Sequence, residues 1–260
     1  MGVVTQIKDL DNTSKLITLN SKRMAIYKIA EINILINPIY GYTKKQMEPF
    51  ICGETDYEFD ASATREEIER SVSRDETPVP PALHEGPIIL TKICRRMLED
   101  YNGLFFHSSS LCLNGEGYLF TAQSGTGKST HTSYWRELFG DKVTMINDDK
   151  PIIRKIDGKF YVCSTPWMGK SNIGTNLNAP VKAVYVLKRG DENRAEQVSP
   201  AKVFRELLEA TLLPDKRENT AKLLELYDGL FSQAKLVELY CKPEIEAAKT
   251  AYNAVNEEAL

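Results

Sequence analysis

The sequence predicts an α/β fold, a β-sheet core flanked by helices, behind a small N-terminal α+β lobe. Three observations lead there. Short β-rich apolar runs bounded by Gly, Asn, Asp or Pro recur between residues 104 and 188, with helical patterns between and after them. A proline-rich stretch, Thr77 to Pro81, sets this region apart from a segment with strand and helix signals of its own. At 260 residues and 42% hydrophobic, the chain has enough apolar material for one large core or a core with an extra lobe. The expected division is 1–81 and 82–260.

Taken in order, Ala25 to Ile36 reads AIYKIAEINILI, partly alternating and Ile-rich, which predicts one strand stopped by Asn37 and Pro38. Thr64, with Glu67 three residues on, forms a capping-box pattern, so a short helix should follow. Thr77 to Pro81 should be a stiff connector. Pro87 suits a first helical turn, and Ile88, Ile89, Ile93, Met97 and Leu98 then recur at helical spacing until Asn102 and Gly103. The runs LFFHSSSLCLN, GYLFTA, VTMIND, FYVCST and VKAVYVLK read as strands of one sheet. Helices are expected at Ser129 to Phe139, at Pro200 to Leu213 with Ser199 as N-cap, at Thr220 to Gln233, and from Pro243 onward. No repeat period appears.

Composition narrows the function classes. A net charge of -3 and a pI near 5.8, without a long basic run, argue against a protein that grips a nucleic-acid backbone. No apolar stretch approaches the roughly 20 residues of a spanning helix, and Met1 to Leu10 lacks a signal-peptide core, so a cytoplasmic chain with no membrane partner is expected. Cys52, Cys94, Cys112, Cys163 and Cys241 are scattered and never in a C-x-x-C pair, which suits neither a disulfide framework nor a zinc site. Most should be buried thiols.

The most informative stretch is Tyr118 to Thr130, YLFTAQSGTGKST: an apolar strand, a small-residue loop and a helix start. That is the arrangement of a phosphate-binding loop. Gly125 and Gly127 would let successive amides turn inward on an anion, with Ser124, Thr126 and Thr130 completing the cradle. Lys128 would reach the outer phosphates and the Ser129 hydroxyl would hold Mg²⁺. Ala122 stands where the strict pattern has its first glycine.

About twenty residues on, VTMINDDKPII ends an apolar strand in two adjacent carboxylates, Asp148 and Asp149. One would serve a metal ion while the other accepts a proton from an attacking hydroxyl, and the residue pattern does not assign the roles. Lys150 follows the pair, either toward the site or in a salt bridge. His107, one strand upstream, is either a phosphate-facing group or a structural histidine; His131, three residues beyond Lys128, has the same two readings. In STPWMGKSNIGTN, Lys170 could neutralise a transferred phosphoryl group and Trp167 could wall the pocket, the alternative for Lys170 being an exposed loop lysine.

AQSGTGKST followed by NDDKP, with a His-Ser-Ser segment one strand upstream, resembles the HPr kinase/phosphorylase catalytic domain and, in SGTGK, the related phosphoenolpyruvate carboxykinases. The resemblance covers about Leu104 to Lys188 and is nearest to small bacterial HPr kinase-like proteins, whose TPWxGK segment appears as Thr165 to Lys170. It implies a mixed sheet carrying the phosphate loop, Mg²⁺ with ATP or GTP, and phosphoryl transfer to a serine hydroxyl. By position, Lys128 and Ser129 bind phosphate and metal, Asp148 and Asp149 supply metal ligation and the base, and His107 lies close to the reacting phosphate. No glycine-rich signature follows the acidic pair, so HPr itself is not implied as acceptor. HPr kinases form rings of subunits, which implies a homo-oligomer. The expected function is an ATP·Mg²⁺-dependent kinase acting on a Ser or Thr of a protein or peptide, or on a small-molecule hydroxyl. The alternatives are a nucleotide-binding regulatory or scaffold protein and a simple ATPase.

Overall fold

The computed structural model describes residues 25–76 and 79–257. Its first unit is a three-stranded sheet of β1 (Ala25–Ile29), β2 (Ile32–Ile36) and β3 (Phe59–Asp60), with helices α1 (Gly41–Met47) and α2 (Arg65–Val72). The single strand expected over Ala25 to Ile36 is instead a hairpin. Ala30 and Glu31 both take positive φ, 50° and 60°, and the chain reverses there so that β1 and β2 pair antiparallel. Neither residue is the Asn or Gly that signals such a turn, so the sequence hid it. The Thr64 capping box forms as expected: its hydroxyl accepts the Glu67 N–H at 3.2 Å and its own N–H donates to Glu67 Oε2 at 2.8 Å.

Of the expected connector, Thr77 and Pro78 lie outside the described residues, and Pro81 is already the N-cap of α3 (Ala82–Asp100). Pro87 therefore sits inside α3, not in its first turn. The carbonyls of Pro80 and Pro81 accept the N–H groups of Leu83 and His84 and start the helix earlier. The buried face of α3, Ile89, Leu90, Ile93, Cys94 and Met97, packs under the small sheet in one apolar cluster with Ile34, Ile36, Met47 and Phe50. Trp167 and Met168, from the loop that later carries Ser171, belong to that cluster.

The large sheet contains β4 (Gly103–Phe105), β5 (Ser109–Leu113), β6 (Glu116–Thr121), β7 (Val143–Asn147), β8 (Ile152–Ile156), β9 (Lys159–Cys163), β10 (Asn178–Arg189), β11 (Arg194–Gln197) and β12 (Lys235–Cys241). Its order is β4-β8-β9-β10-β6-β5-β7, with β12 beside β10 and β11 beside β12. The long β10 is the hub. Its first residues pair antiparallel with β9, and the remainder runs parallel to β6 and β12. The result is a curled mixed α/β layer structure. Alternation along β10 divides the core: Val184 and Val186 face α5 (Phe204–Glu209) and α6 (Arg217–Gln233), whereas Ala183, Tyr185 and Leu187 face α4 (Lys128–Phe139) and α7 (Glu246–Asn253).

Several elements differ from the sequence reading. LFFHSSSLCLN is two strands, because β4 pairs with β8 while β5 pairs with β6 and β7. The break at His107 and Ser108 comes from long-range pairing. Strands β8, β11 and β12 were not anticipated; in β12 the apolar run is interrupted by Glu238, which is buried where its carboxylate meets Lys188 and Lys202. The helix expected over Pro200 to Leu213 is a short 3₁₀ turn followed by α5, which ends at Glu209, and Ser199 makes no side-chain cap. Thr211 instead bridges to Phe106. The last helix starts at Glu246, beyond Pro243. Only Cys94 and Cys163 are buried, fewer than expected, and burial pushes the Cys163 thiol up to about 12.

Candidate functional site

Strand β6 ends at Thr121, and the chain turns through Ala122 to Gly127 before α4 begins at Lys128. The turn depends on its glycines. Gly125 and Gly127 sit at φ +78° and +115°, conformations that other residues rarely adopt, and the Thr126 N–H closes on the Gln123 carbonyl at 3.1 Å. Gly127 is the N-cap of α4. It has no side chain to offer, and the first turn holds no acidic residue, so the amides there receive neither a side-chain cap nor a compensating charge. Lys128 folds back on the loop, its ammonium 3.2 Å from the Ala122 carbonyl. Burial pulls that ammonium below the ordinary lysine range, and the carboxylates of Asp149 and Asp148 act against the shift. The lysine thus lies within electrostatic reach of the acidic pair.

Asn147, fully buried at the end of β7, sets the geometry of that pair. Its amide donates to the Thr165 carbonyl at 3.0 Å, and its Oδ1 accepts the N–H groups of Asp149 at 2.9 Å and Lys150 at 2.7 Å. This side-chain-to-backbone turn bends the chain sharply and gives the neighbouring carboxylates different partners. Asp148 is buried and accepts the Ser109 hydroxyl at 2.5 Å and the Ser171 hydroxyl at 2.6 Å, one on each oxygen. Ser109 also lies 3.1 Å from the Thr132 hydroxyl on α4, and Thr132 donates to the Ser129 carbonyl at 3.2 Å. A chain of hydroxyls therefore runs from the acidic pair to the helix start.

Asp149 meets His107 Nε2 at 2.9 Å and pairs with the Lys150 ammonium. Burial by itself would raise its carboxyl, but hydrogen bonds from His107 and Lys150 outweigh it and hold the group below the usual carboxylate range. Asp149 is ionised at neutral pH. Behind it, Gly169 at φ +70° packs so closely that a Cβ there would come within 2.9 Å of the Asp149 Cβ. The site tolerates no bulkier residue at that point.

Among the residues singled out from sequence, the structure brings together Lys128, Asp148, Asp149 and His107, and places Ser124, Gly125, Thr126, Gly127, Ser129 and Thr130 along the loop and helix start. Lys150 is in a salt bridge. Lys170 is exposed on the loop that also carries Ser171. Trp167 does not wall this site: it is buried against α3, the position of Gly86 leaving room for its indole. His131 is buried under α4, where Nε2 accepts the Trp135 indole N–H at 3.1 Å and the ring packs on Phe120. Sequence reasoning missed Asn147, Ser109, Thr132, Ser171 and Arg189. Ser109 closes the His-Ser-Ser segment, and its alternation with Leu111 and Leu113 along β5 could have nominated it; no local pattern marks Ser171.

Two clefts flank the loop. One, of about 430 Å³, lies between Ala122 to Thr126 and the end of β10 with Glu206. The other, of about 440 Å³, lies between Gly127, Thr130 and Tyr134 on one side and Arg189, Lys242 and Pro243 on the other.

No family model matches this chain, and no curated protein does. Among solved structures the chain is similar to the Hpr(Ser) kinase/phosphatase from Coxiella burnetii, at 12% identity and a TM-score of 0.26, over 47% of this chain and 86% of that one. At that score the likeness carries no functional argument. Among the described residues no helix is long and apolar enough to cross a membrane, and no group of three or more His, Cys, Asp or Glu side chains is placed to hold a metal ion unaided.

His131 yields a stability prediction. Burial pushes it down to about 3 from an ordinary 6.5, so the folded state holds it neutral while the unfolded chain takes a proton. Stability is complete above pH 6.5 and declines as pH falls from 6.5 toward about 3, at up to roughly 1.4 kcal/mol per unit. Urea titrations at pH 7 and 4.5 should show the wild type losing about 2–3 kcal/mol more than His131→Gln. Equal losses in the two proteins would refute the assignment.

Proposed function

We propose that the chain is an ATP·Mg²⁺-dependent phosphotransferase with residues 82–260 as its catalytic domain, resembling HPr kinases. The single observation that carries this reading is that Lys128, at an uncapped helix start behind a two-glycine loop, lies within electrostatic reach of the Asp148–Asp149 pair. A cation and exposed amides suit a polyphosphate. Asp148, Asp149 and the Ser129 hydroxyl suit Mg²⁺, which takes one or two carboxylates and completes its shell with phosphate oxygens and water. GTP would satisfy the same contacts.

In this reading Ser124 to Thr130 hold the phosphates, and Lys128 offsets charge that develops on the transferred group. Bound Mg²⁺ supplies charge neutralisation there. Asp148, fixed by the hydroxyls of Ser109 and Ser171, would serve as the metal-side carboxylate. Asp149, kept ionised and steadied by His107, takes the proton of the acceptor hydroxyl as its oxygen bonds to phosphorus and the bond to the leaving diphosphate breaks. The acceptor class proposed is a Ser or Thr of a protein or peptide.

The purified chain, given γ-labelled ATP, Mg²⁺ and a panel of Ser- and Thr-containing peptides, should transfer label. Calorimetry showing no association of either ATP or GTP at saturating Mg²⁺ would remove the proposal. Tight binding without ADP formation would favour a regulatory or scaffold role, and ADP release independent of any acceptor a simple ATPase.

A further inference from the structure

The order of strands fixes a direction along the loop. From β6, which feeds the loop, β5 and then β7 lie on one side, and β10 and then β12 on the other. The acidic pair ends β7. Both clefts are lined by the ends of β10 or of β10 and β12, on the opposite side. A nucleotide whose terminal phosphate lies between Lys128 and the carboxylates must therefore leave the loop toward the clefts, carrying its sugar and base there.

The clefts differ in charge. The one beside Ala122 to Thr126 includes the Glu206 carboxylate, and its Lys188 is already engaged by Glu206 at 3.1 Å and Glu238 at 2.6 Å. Arg189 borders both clefts, and the other adds Lys242 and contains no carboxylate. Arg189 donates to the Gly125 carbonyl at 2.8 Å, so its guanidinium stands at the rim of the phosphate loop. Thr130 and Tyr134, one helical turn apart on α4, continue from the loop along the same wall, and Pro243 closes the far side. At about 440 Å³ the space is within the range of small-ligand sites, and it offers an aromatic ring and an apolar ring beside two cations.

Resting on the nucleotide reading above, we propose that this second cleft is the nucleoside subsite. Arg189 stands beside the innermost phosphate, and Tyr134, Lys242 and Pro243 face the sugar and base. The carboxylate-bearing cleft is left free of nucleotide.

The test compares ATP with inorganic tripolyphosphate, which has the phosphates and no nucleoside, by calorimetry with Mg²⁺. Tyr134→Ala should weaken ATP about 10-fold, in line with loss of one base–aromatic contact, and leave tripolyphosphate within about 2-fold. Lys242→Ala, at an exposed side chain whose loss does not threaten folding, should act in the same direction. The assignment is overturned if both variants bind ATP as the wild type does, or if each weakens the two ligands equally. Should the wild type bind tripolyphosphate as tightly as ATP, the subsite fails while the phosphate loop stands. Should it bind neither, the nucleotide reading fails with it.

Discussion

Lys128→Ala is expected to lower phosphoryl transfer by at least about 10²–10³-fold, the range found when one preorganised charge-stabilising group is removed from a reacting centre. The side chain is held for that task. Its ammonium is tethered to the Ala122 carbonyl, and the opposing effects of burial and of Asp149 and Asp148 describe a cation partly withdrawn from water and facing two anions. Without it, the loop amides remain but the cation at the helix start is gone, and Asp149 keeps only His107 and Lys150 to offset its charge. A polyphosphate brought against Asp148 and Asp149 then meets like charge. Single-turnover transfer from labelled ATP measures the loss. Because the fold does not depend on a half-buried surface lysine, the urea midpoint should stay near that of the wild type. Undiminished transfer by a well-folded Lys128→Ala protein would move the reacting phosphate elsewhere.

Trp135→Ala should produce the largest loss of stability, about 3–5 kcal/mol against a total of about 5–15 for a domain of ordinary stability. Trp135 is fully buried under α4 and contacts Tyr118 at 5.0 Å, Phe139 at 5.3 Å and Phe120 at 5.4 Å between ring centres, with Tyr185 and Tyr252 beyond. It joins β6, β10, α4 and α7, and truncation leaves a void that rings packed from several directions cannot fill. His131 would also lose the indole N–H that its Nε2 accepts. Urea unfolding monitored by far-UV circular dichroism gives the difference. A change below about 1 kcal/mol would mean that the surrounding rings collapse into the space and that the wedge is not needed.

Where local chemistry decides, the sequence was readable. The capping box at Thr64, the helix from Lys128, the two glycines at positive φ and the aspartates after an apolar strand each follow from neighbours within a few residues. The hairpin at Ala30 and Glu31 was not readable, because its residues lack the usual turn chemistry and the hairpin's pairing and packing hold them there. Nor was the early start of α3, or the burial of Trp167. Its TPWMGK context suggests a site residue, yet its ring belongs to the apolar cluster shared by α3 and the small sheet. That placement has a functional side: the cluster anchors Trp167 and Met168, and the same loop then delivers Gly169 against Asp149 and Ser171 onto Asp148.

The strand, loop and helix around Lys128 are specified within one short stretch of chain, since glycine conformations, helix initiation and the position of a lysine at the first turn need no distant partner. Which hydroxyls hold Asp148, and the placing of both clefts on the side away from the acidic pair, depend on β5 lying between β6 and β7 while β10 lies on the other side. Residues as far apart as Ser109, Thr132, Asp148 and Ser171 meet only through that strand order. Strand order is set by the burial of two apolar faces over the whole sheet, a sum over distant contacts that no local window contains.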